Sequence, residues 1–319
     1  MLRLSKGHVL EKAEGEFREL EKTVSWNSKS TIYSPIELVS RCNTHLNKEK
    51  FFCSTRGLQE TLASRILLKH PLSSRTDTRM FSIVSETWNP VTGCTYYCTY
   101  CWARKLAETK LKNTKRYRDG FKPSLNEEEF RRRFNGGVVF VSDMGDLFCD
   151  AVPDEWIFRV FEHVKRFPTT YFLFLTKNPA RYLDFIDMLP PNAILGATIE
   201  TDRDELIMGH GSPLSRAPLP SQRYDAMAKL SWPMKLVSVE PILDFDLQRF
   251  TEWIQRTKAF VVYIGYDNYN HRLPEPSLQK TLQLVERLSL YTFTAVKTLR
   301  PAWYEAKSHN VPKVQGKGL

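Results

Sequence analysis

The chain is poor in cysteine and has no long apolar run. Six cysteines in 319 residues are too few to scaffold a fold through disulfides. No stretch approaches the ~18 apolar residues of a membrane span, and the most apolar segments, such as Tyr171 to Leu175, have the length of a strand. The opening residues, MLRLSKGHVLEKAEGEF, lack the apolar centre of a secretory signal. No GxGxxG or Walker pattern follows a strand-like segment, which counts against a Rossmann or P-loop nucleotide-binding sheet. These absences predict a cytoplasmic protein with no membrane partner. Hydrophobic residues at 42% and charged residues at 26% describe an ordinary packed core and exclude wholesale disorder, collagen and coiled coil. Forty-six Lys and Arg against 36 Asp and Glu leave a net charge of +10, which permits a polyanionic partner without requiring one.

From about residue 80 the sequence settles into a strand–helix rhythm. Strand candidates are Phe81 to Ser85, Val138 to Val141, Tyr171 to Leu175, Ala193 to Ile199, Lys235 to Val239, Phe260 to Ile264 and Tyr291 to Val296. Between them, Asp154 to Phe167 carries apolar residues at helical spacing with two acids in its first turn. Further helices are expected from near Asn178-Pro179 and from Pro276 to Leu288. Such alternation predicts parallel βα units: an α/β fold, a partial (β/α)6-type TIM barrel with an irregular N-terminal extension. The expected division is an extension over 1–79, partly helical, a barrel over 80–300, and a basic flexible tail over 301–319. In a βα barrel the active site lies where strands end, which singles out the residues just after each one.

The sharpest motif is Trp88-Asn-Pro-Val-Thr-Gly-Cys94-Thr-Tyr-Tyr-Cys98-Thr-Tyr-Cys101-Trp102. Three thiolates this close can wrap an iron or a zinc centre. A closed zinc site normally has four protein ligands, and no histidine lies within 20 residues of these cysteines. Three cysteines on a cubane leave one iron open. Cys42 and Cys53, with His45, are a separate candidate for an auxiliary metal site.

CxxxCxxC with an aromatic residue before the third cysteine, following the first strand of a βα series, resembles the radical S-adenosylmethionine (SAM) superfamily. The pieces ETWNPVTGC, FVSDMGDLF, VPDEWIFRVF, FLFLTKNPARY and VSVEPIL are similar to a phage- and archaeon-associated radical SAM family of unassigned function. A more distant resemblance is to the spore photoproduct lyases, which repair DNA. The resemblance implies a [4Fe–4S] cluster on Cys94, Cys98 and Cys101, with SAM chelating the fourth iron and cleaved reductively to a 5′-deoxyadenosyl radical. It also implies an electron donor such as flavodoxin or ferredoxin. Carried over position by position, Ser142 and Asp143 stand where the superfamily meets the SAM amino group, although SDMGD replaces the usual Gly-Gly-Glu-like motif. Lys177 would take the SAM carboxylate, with Arg223 as a second candidate. Thr198 and Glu200 would face the ribose, and Glu240 either SAM or the substrate. Cys149, beyond the second strand, is a candidate hydrogen-atom donor; the alternative is a small buried hydrophobe. Tyr96, Tyr97, Tyr100 and Trp102 are expected to shield the cluster or to pack its loop.

Arg104 to Lys122 carries a net +6 in 19 residues, directly after the cysteine loop. Interleaved with Tyr117 and Phe121, this stripe suits a nucleic-acid backbone; the alternative is a solvated basic face. The expected function is therefore a radical SAM enzyme acting on nucleic acid. The alternatives are radical SAM modification of a peptide or small metabolite, and a non-catalytic metal-bearing nucleic-acid-binding protein.

Overall fold

The computed structural model describes residues 80–209 and 211–305, together with the backbone of Ile32 and Tyr33. The expected extension over 1–79, apart from that pair, lies outside the described residues, as do Cys42, His45, Cys53 and the tail beyond 305.

Ten strands are described: β1 (Ile32–Tyr33), β2 (Glu86–Trp88), β3 (Val91–Thr92), β4 (Ser124–Leu125), β5 (Val138–Val141), β6 (Tyr171–Thr176), β7 (Ala193–Thr198), β8 (Lys235–Val239), β9 (Val261–Ile264) and β10 (Phe293–Val296). Seven helices connect them: α1 (Trp102–Glu108), α2 (Asp154–Val164), α3 (Arg181–Asp184), α4 (Asp204–Met208), α5 (Pro220–Lys229), α6 (Leu247–Thr257) and α7 (Leu278–Ser289). The main sheet runs β1-β10-β9-β8-β7-β6-β5-β2. Every neighbouring pair is parallel except β1 with β10.

Each parallel strand lies beside its predecessor, and every crossover from β2 to β10 carries at least one helix. A doubly wound sheet would reverse direction at a switch point. This one winds in a single sense, as a barrel does, but β2 and β1 remain edges and the barrel does not close. The fold is thus the expected α/β partial barrel.

Strand periodicity builds two cores. Val139, Val141, Phe172, Phe174, Leu195, Ala197, Val237, Val239, Val262 and Ile264 pack with Ile157, Val160 and Phe161 of α2 and Leu284, Val285 and Leu288 of α7. The alternate residues Val138, Phe140, Leu173, Ile194, Leu236, Val261 and Tyr263 form a second core on the other face. Burial on both faces explains why these strands read as near-continuous apolar runs.

Phe81 to Ser85 corrects the expectation of a strand. Val84 N–H closes a turn on Phe81 C=O (2.9 Å), and the first strand of the parallel series is β2, Glu86–Trp88. Phe81 and Ile83 instead fill the second core: Phe81 packs against Phe140 and Tyr263, and the Tyr263 hydroxyl accepts from Ile83 N–H (3.4 Å). Asn178-Pro179 leads only into a four-residue helix, α3, because the chain turns to place Tyr182 between strands; its hydroxyl contacts the carbonyls of Phe174 and Gly196, both at 2.8 Å.

Candidate cluster site at the strand ends

The cysteine loop follows β3, which pairs antiparallel with β4, and is fixed by backbone bonds. Cys94 N–H donates to Phe121 C=O (2.9 Å), Cys101 N–H to Cys98 C=O (3.1 Å) and Thr99 N–H to Leu214 C=O (2.9 Å). Gly93 makes this path possible. At φ +86° it lies against Lys122, whose carbonyl oxygen would sit 2.1 Å from an added Cβ. Gly93 also bridges Gly145 in the loop after β5, and a Cβ on Gly145 would meet Gly93 O at 2.8 Å. The two loops therefore meet backbone to backbone.

The three thiols differ in surroundings. Cys94 Sγ accepts from Tyr96 N–H (3.4 Å), and Cys101 Sγ caps α1 by accepting from Arg104 N–H (3.3 Å). Cys98 Sγ lies 3.1 Å from Ser215 Oγ. Backbone N–H groups directed at sulfur stabilise thiolates and tune iron–sulfur potentials. All three are partly exposed. Among the described residues, no three His, Cys, Asp or Glu side chains converge as a single metal ion demands. Three cysteine sulfurs on one loop are donors of the chemistry that an iron–sulfur cluster takes, each at a different iron. Of the aromatic residues in the loop, Tyr96 and Tyr100 are buried, whereas Tyr97 and Trp102 are 52% and 40% exposed.

Cys149 lies fully buried beside this loop. Its sulfur is 3.0 Å from Thr95 Oγ1. The neighbouring Cys149 side chain, followed by burial, pushes the Cys94 thiol up. The sequence alone gave no sign of this proximity.

At the end of β5, Ser142 adopts φ +59°, and its buried hydroxyl has no hydrogen-bond partner. Asp143 turns to Asn89, accepting from Nδ2 at 2.6 Å, and burial raises its pKa. The carboxylate that reaches the neighbouring strand end is Asp146, which the motif SDMGD contains but the strand-end reading passed over. Asp146 Oδ1 accepts from Thr176 Oγ1 (2.7 Å) and Oδ2 from Lys177 N–H (2.9 Å). Burial pushes its pKa up to about 6 against those bonds.

Lys177, Glu200 and Arg223 come together at the ends of β6 and β7. Glu200 is fully buried. One of its oxygens accepts from Lys177 Nζ and from Tyr100 Oη (2.6 Å), the other from Arg223 Nη1 (2.6 Å). Burial alone would raise the Glu200 pKa, but Arg223 and Lys177 hold it down at about 2. The trio keeps one net positive charge, and Arg223 Nη2 is buried without a partner. A cavity of about 230 Å³ opens beside it, lined by Asn178, Pro179, Ala180, Pro218, Gln222 and Arg223. Thr198 is buried, and its carbonyl accepts from Arg223 Nη1 (2.7 Å). Glu240 lies apart from the trio, paired with Lys297 at 2.9 Å. Tyr100 and Asp146 are the participants that strand-end reasoning missed.

The basic stripe departs from expectation in its aromatics. Tyr117 and Phe121 are buried against Ala103, Ala107 and Met144, so neither offers a stacking surface. Arg104 bonds to Cys94 C=O (2.7 Å), and Arg116 is paired with Glu128 and Glu129. Lys105, Lys110, Lys112, Lys115 and Lys122 are exposed. The exposed rings near the loop are Tyr97, Trp102 and Tyr269. Arg104 and Arg216 stand over Tyr97 at 4.1 and 5.0 Å, and Lys105 over Tyr269 at 5.7 Å. No described helix is long and apolar enough to cross a membrane.

The profile of a family described as "Protein of unknown function (DUF5131)" matches residues 78–247, just over half of the chain. No curated protein sequence matches. Among solved structures, a spore photoproduct lyase variant with bound AdoMet and dinucleoside spore photoproduct aligns at TM-score 0.42 and 12% identity, over 63% of this chain and 60% of that one. A spore photoproduct lyase complexed with dinucleoside spore photoproduct aligns at TM-score 0.42 and 12% identity, over 87% and 78%. Streptococcus suis SuiB bound to S-adenosylmethionine aligns at TM-score 0.42 and 12% identity, over 89% and 60%. The chain thus spans about three-fifths of the length of the first lyase structure and of SuiB.

Proposed function

The chain belongs to the DUF5131 family of proteins of unknown function, and from that premise we propose that it is a radical SAM enzyme. The observation that carries the reading is the disposition of Cys94, Cys98 and Cys101. One loop presents all three thiols beside the C-terminal strand ends of a βα partial barrel, and backbone N–H groups are already directed at two of the sulfurs. Bound there, a [4Fe–4S] cluster and SAM would supply reductive cleavage of a sulfonium, chemistry that belongs to the cofactors.

The chain's own groups divide the remaining work. The cysteine sulfurs hold the cluster, and buried Tyr96 and Tyr100 exclude water from one side of its loop. Glu200 orients Lys177 and Arg223, whose surplus positive charge suits the carboxylate of SAM through charge-assisted hydrogen bonds. The unpartnered Arg223 Nη2 supports that assignment. The partnerless hydroxyl of Ser142 and the Asp146 carboxylate are the acceptors on the neighbouring loop suited to an ammonium group.

For the substrate, the exposed lysines after the cysteine loop and the cation-topped rings Tyr97 and Tyr269 favour nucleic acid with unpaired bases. Peptide and small-metabolite substrates are the alternatives. Anaerobic reconstitution tests the cluster. About four irons and four sulfides per chain are expected, with cluster loss in Cys94→Ala, Cys98→Ala and Cys101→Ala. A chain that fills with zinc and takes up no iron overturns the reading.

A further inference from the structure

Cys94 and Cys101 each receive a backbone N–H at sulfur, from Tyr96 (3.4 Å) and Arg104 (3.3 Å). Among the described residues, Cys98 Sγ receives none. It faces a side chain instead: Ser215 Oγ lies 3.1 Å away, on a segment 117 residues further along the chain.

That segment crosses the cysteine loop as a strap. Thr99 N–H donates to Leu214 C=O (2.9 Å) and Arg216 N–H to Tyr96 C=O (2.7 Å), so backbone bonds hold Ser215 from both sides. The strap is itself anchored at each end. Leu214 N–H donates to Ile207 C=O of α4 (2.8 Å), and Pro218 C=O accepts from Arg223 Nε of α5 (2.7 Å). Ser215 is buried, at 4% exposure. Its oxygen accepts from Ala217 N–H (3.1 Å). A serine hydroxyl has one proton to give and two lone pairs. With one lone pair turned to Ala217, the proton is free to point at Cys98. A metal-bound thiolate carries no proton and can only accept, which fixes the direction of this hydrogen bond.

We propose that Ser215 is a positioning residue acting through Cys98: its hydroxyl donates to the Cys98 sulfur and raises the reduction potential of the cluster. The proposal rests on the radical SAM reading above. An electron added to the cluster increases the negative charge on its sulfurs, so a donor aimed at one of them stabilises the reduced form more than the oxidised form. The donors at Cys94 and Cys101 are backbone and persist through side-chain exchange. At Cys98 the donor is a side chain, so this contribution to the potential is set by the residue at 215. Its burial keeps water from taking its place.

The test compares the full-length wild type with Ser215→Ala, Ser215→Gly and Ser215→Thr after anaerobic reconstitution, without SAM. Iron and sulfide are counted, and the midpoint potential is read by redox titration followed by electron paramagnetic resonance. Ser215→Ala and Ser215→Gly should load as the wild type does. Their one-electron equilibrium should shift against reduction by about tenfold, a midpoint ~59 mV more negative. Ser215→Thr keeps the hydroxyl and should restore the wild-type midpoint. A loaded hydroxyl-free variant with an unmoved midpoint overturns the proposal, as does an equal shift in Ser215→Thr. Hydroxyl-free variants that hold no iron while Ser215→Thr loads would make Ser215 a structural support, which also overturns it. A wild type that takes up no iron removes the cluster reading and this proposal together, whereas a loaded cluster with an unmoved midpoint removes this proposal alone.

Discussion

Glu200→Gln neutralises the carboxylate that bridges Lys177 and Arg223 while keeping the side chain's shape. Glu200 and the Arg223 side chain are wholly buried, while the Lys177 side chain is 16% exposed. With a neutral amide at the centre, two cations face each other without compensation, and breaking a buried pair in this way costs about 3–5 kcal/mol. The pKa gives a second route to the magnitude. A folded-state pKa of about 2 against an ordinary 4.5 corresponds to about 3 kcal/mol of stability. Because the folded value is depressed, that contribution is complete above pH 4.5 and is lost as pH falls through about 2. Urea unfolding at pH 7 should therefore show Glu200→Gln less stable by about 3 kcal/mol or more. Between pH 4.5 and 2 the gap to the wild type should shrink. A loss below about 1 kcal/mol at pH 7, or a gap that is constant with pH, would refute this account of the trio.

Gly93→Ala must force a Cβ within 2.1 Å of the Lys122 carbonyl at a positive φ, so thermal melting should show clear destabilisation and iron uptake should fall. A variant that melts and loads like the wild type would contradict the loop geometry. Lys177→Ala should leave iron content intact but weaken SAM binding by about tenfold or more, read from the SAM-induced change in the cluster's electron paramagnetic resonance signal. Unchanged affinity would make Lys177 a purely structural partner of Glu200. Neutralising Lys105, Lys110, Lys112 and Lys115 together should weaken binding to single-stranded DNA or RNA. It should also reduce the log–log salt slope by up to about 3. An unchanged slope would show these lysines to be a solvated face, since heparin-like binding needs only the net charge of +10.

Much of the barrel was legible because its strands are buried on both faces. Val138–Val141 and Lys235–Val239 were readable to the residue, each a short apolar run with a turn or a polar stop at its ends. Phe81 to Ser85 has the same appearance, but its apolar residues serve as a plug for the second core, a distinction that only tertiary packing makes. Helices α5 and α6 escaped notice because their interiors are mostly polar; Pro220 at the first turn and Asp246 as N-cap were the signals available. In the site, the three cysteines were visible through spacing, and Lys177 and Glu200 through their place after strands. Asp146 and Tyr100 were not, because they reach the strand ends from loops whose path depends on the contact between Gly93 and Gly145. The aromatic residues of the basic stripe misled for a similar reason. Tyr117 and Phe121 alternate with charge as a binding surface would, yet they anchor the segment to α1.

The central claim is that this site cleaves SAM, and it is tested most directly by following 5′-deoxyadenosine. Protein reconstituted anaerobically with iron and sulfide is mixed with SAM and a strong one-electron reductant, and the products are resolved by chromatography and mass spectrometry. The account predicts 5′-deoxyadenosine that depends on both reductant and cluster and is abolished in Cys98→Ala. A fully loaded cluster that yields no 5′-deoxyadenosine above the Cys98→Ala background, with or without nucleic acid present, would contradict it.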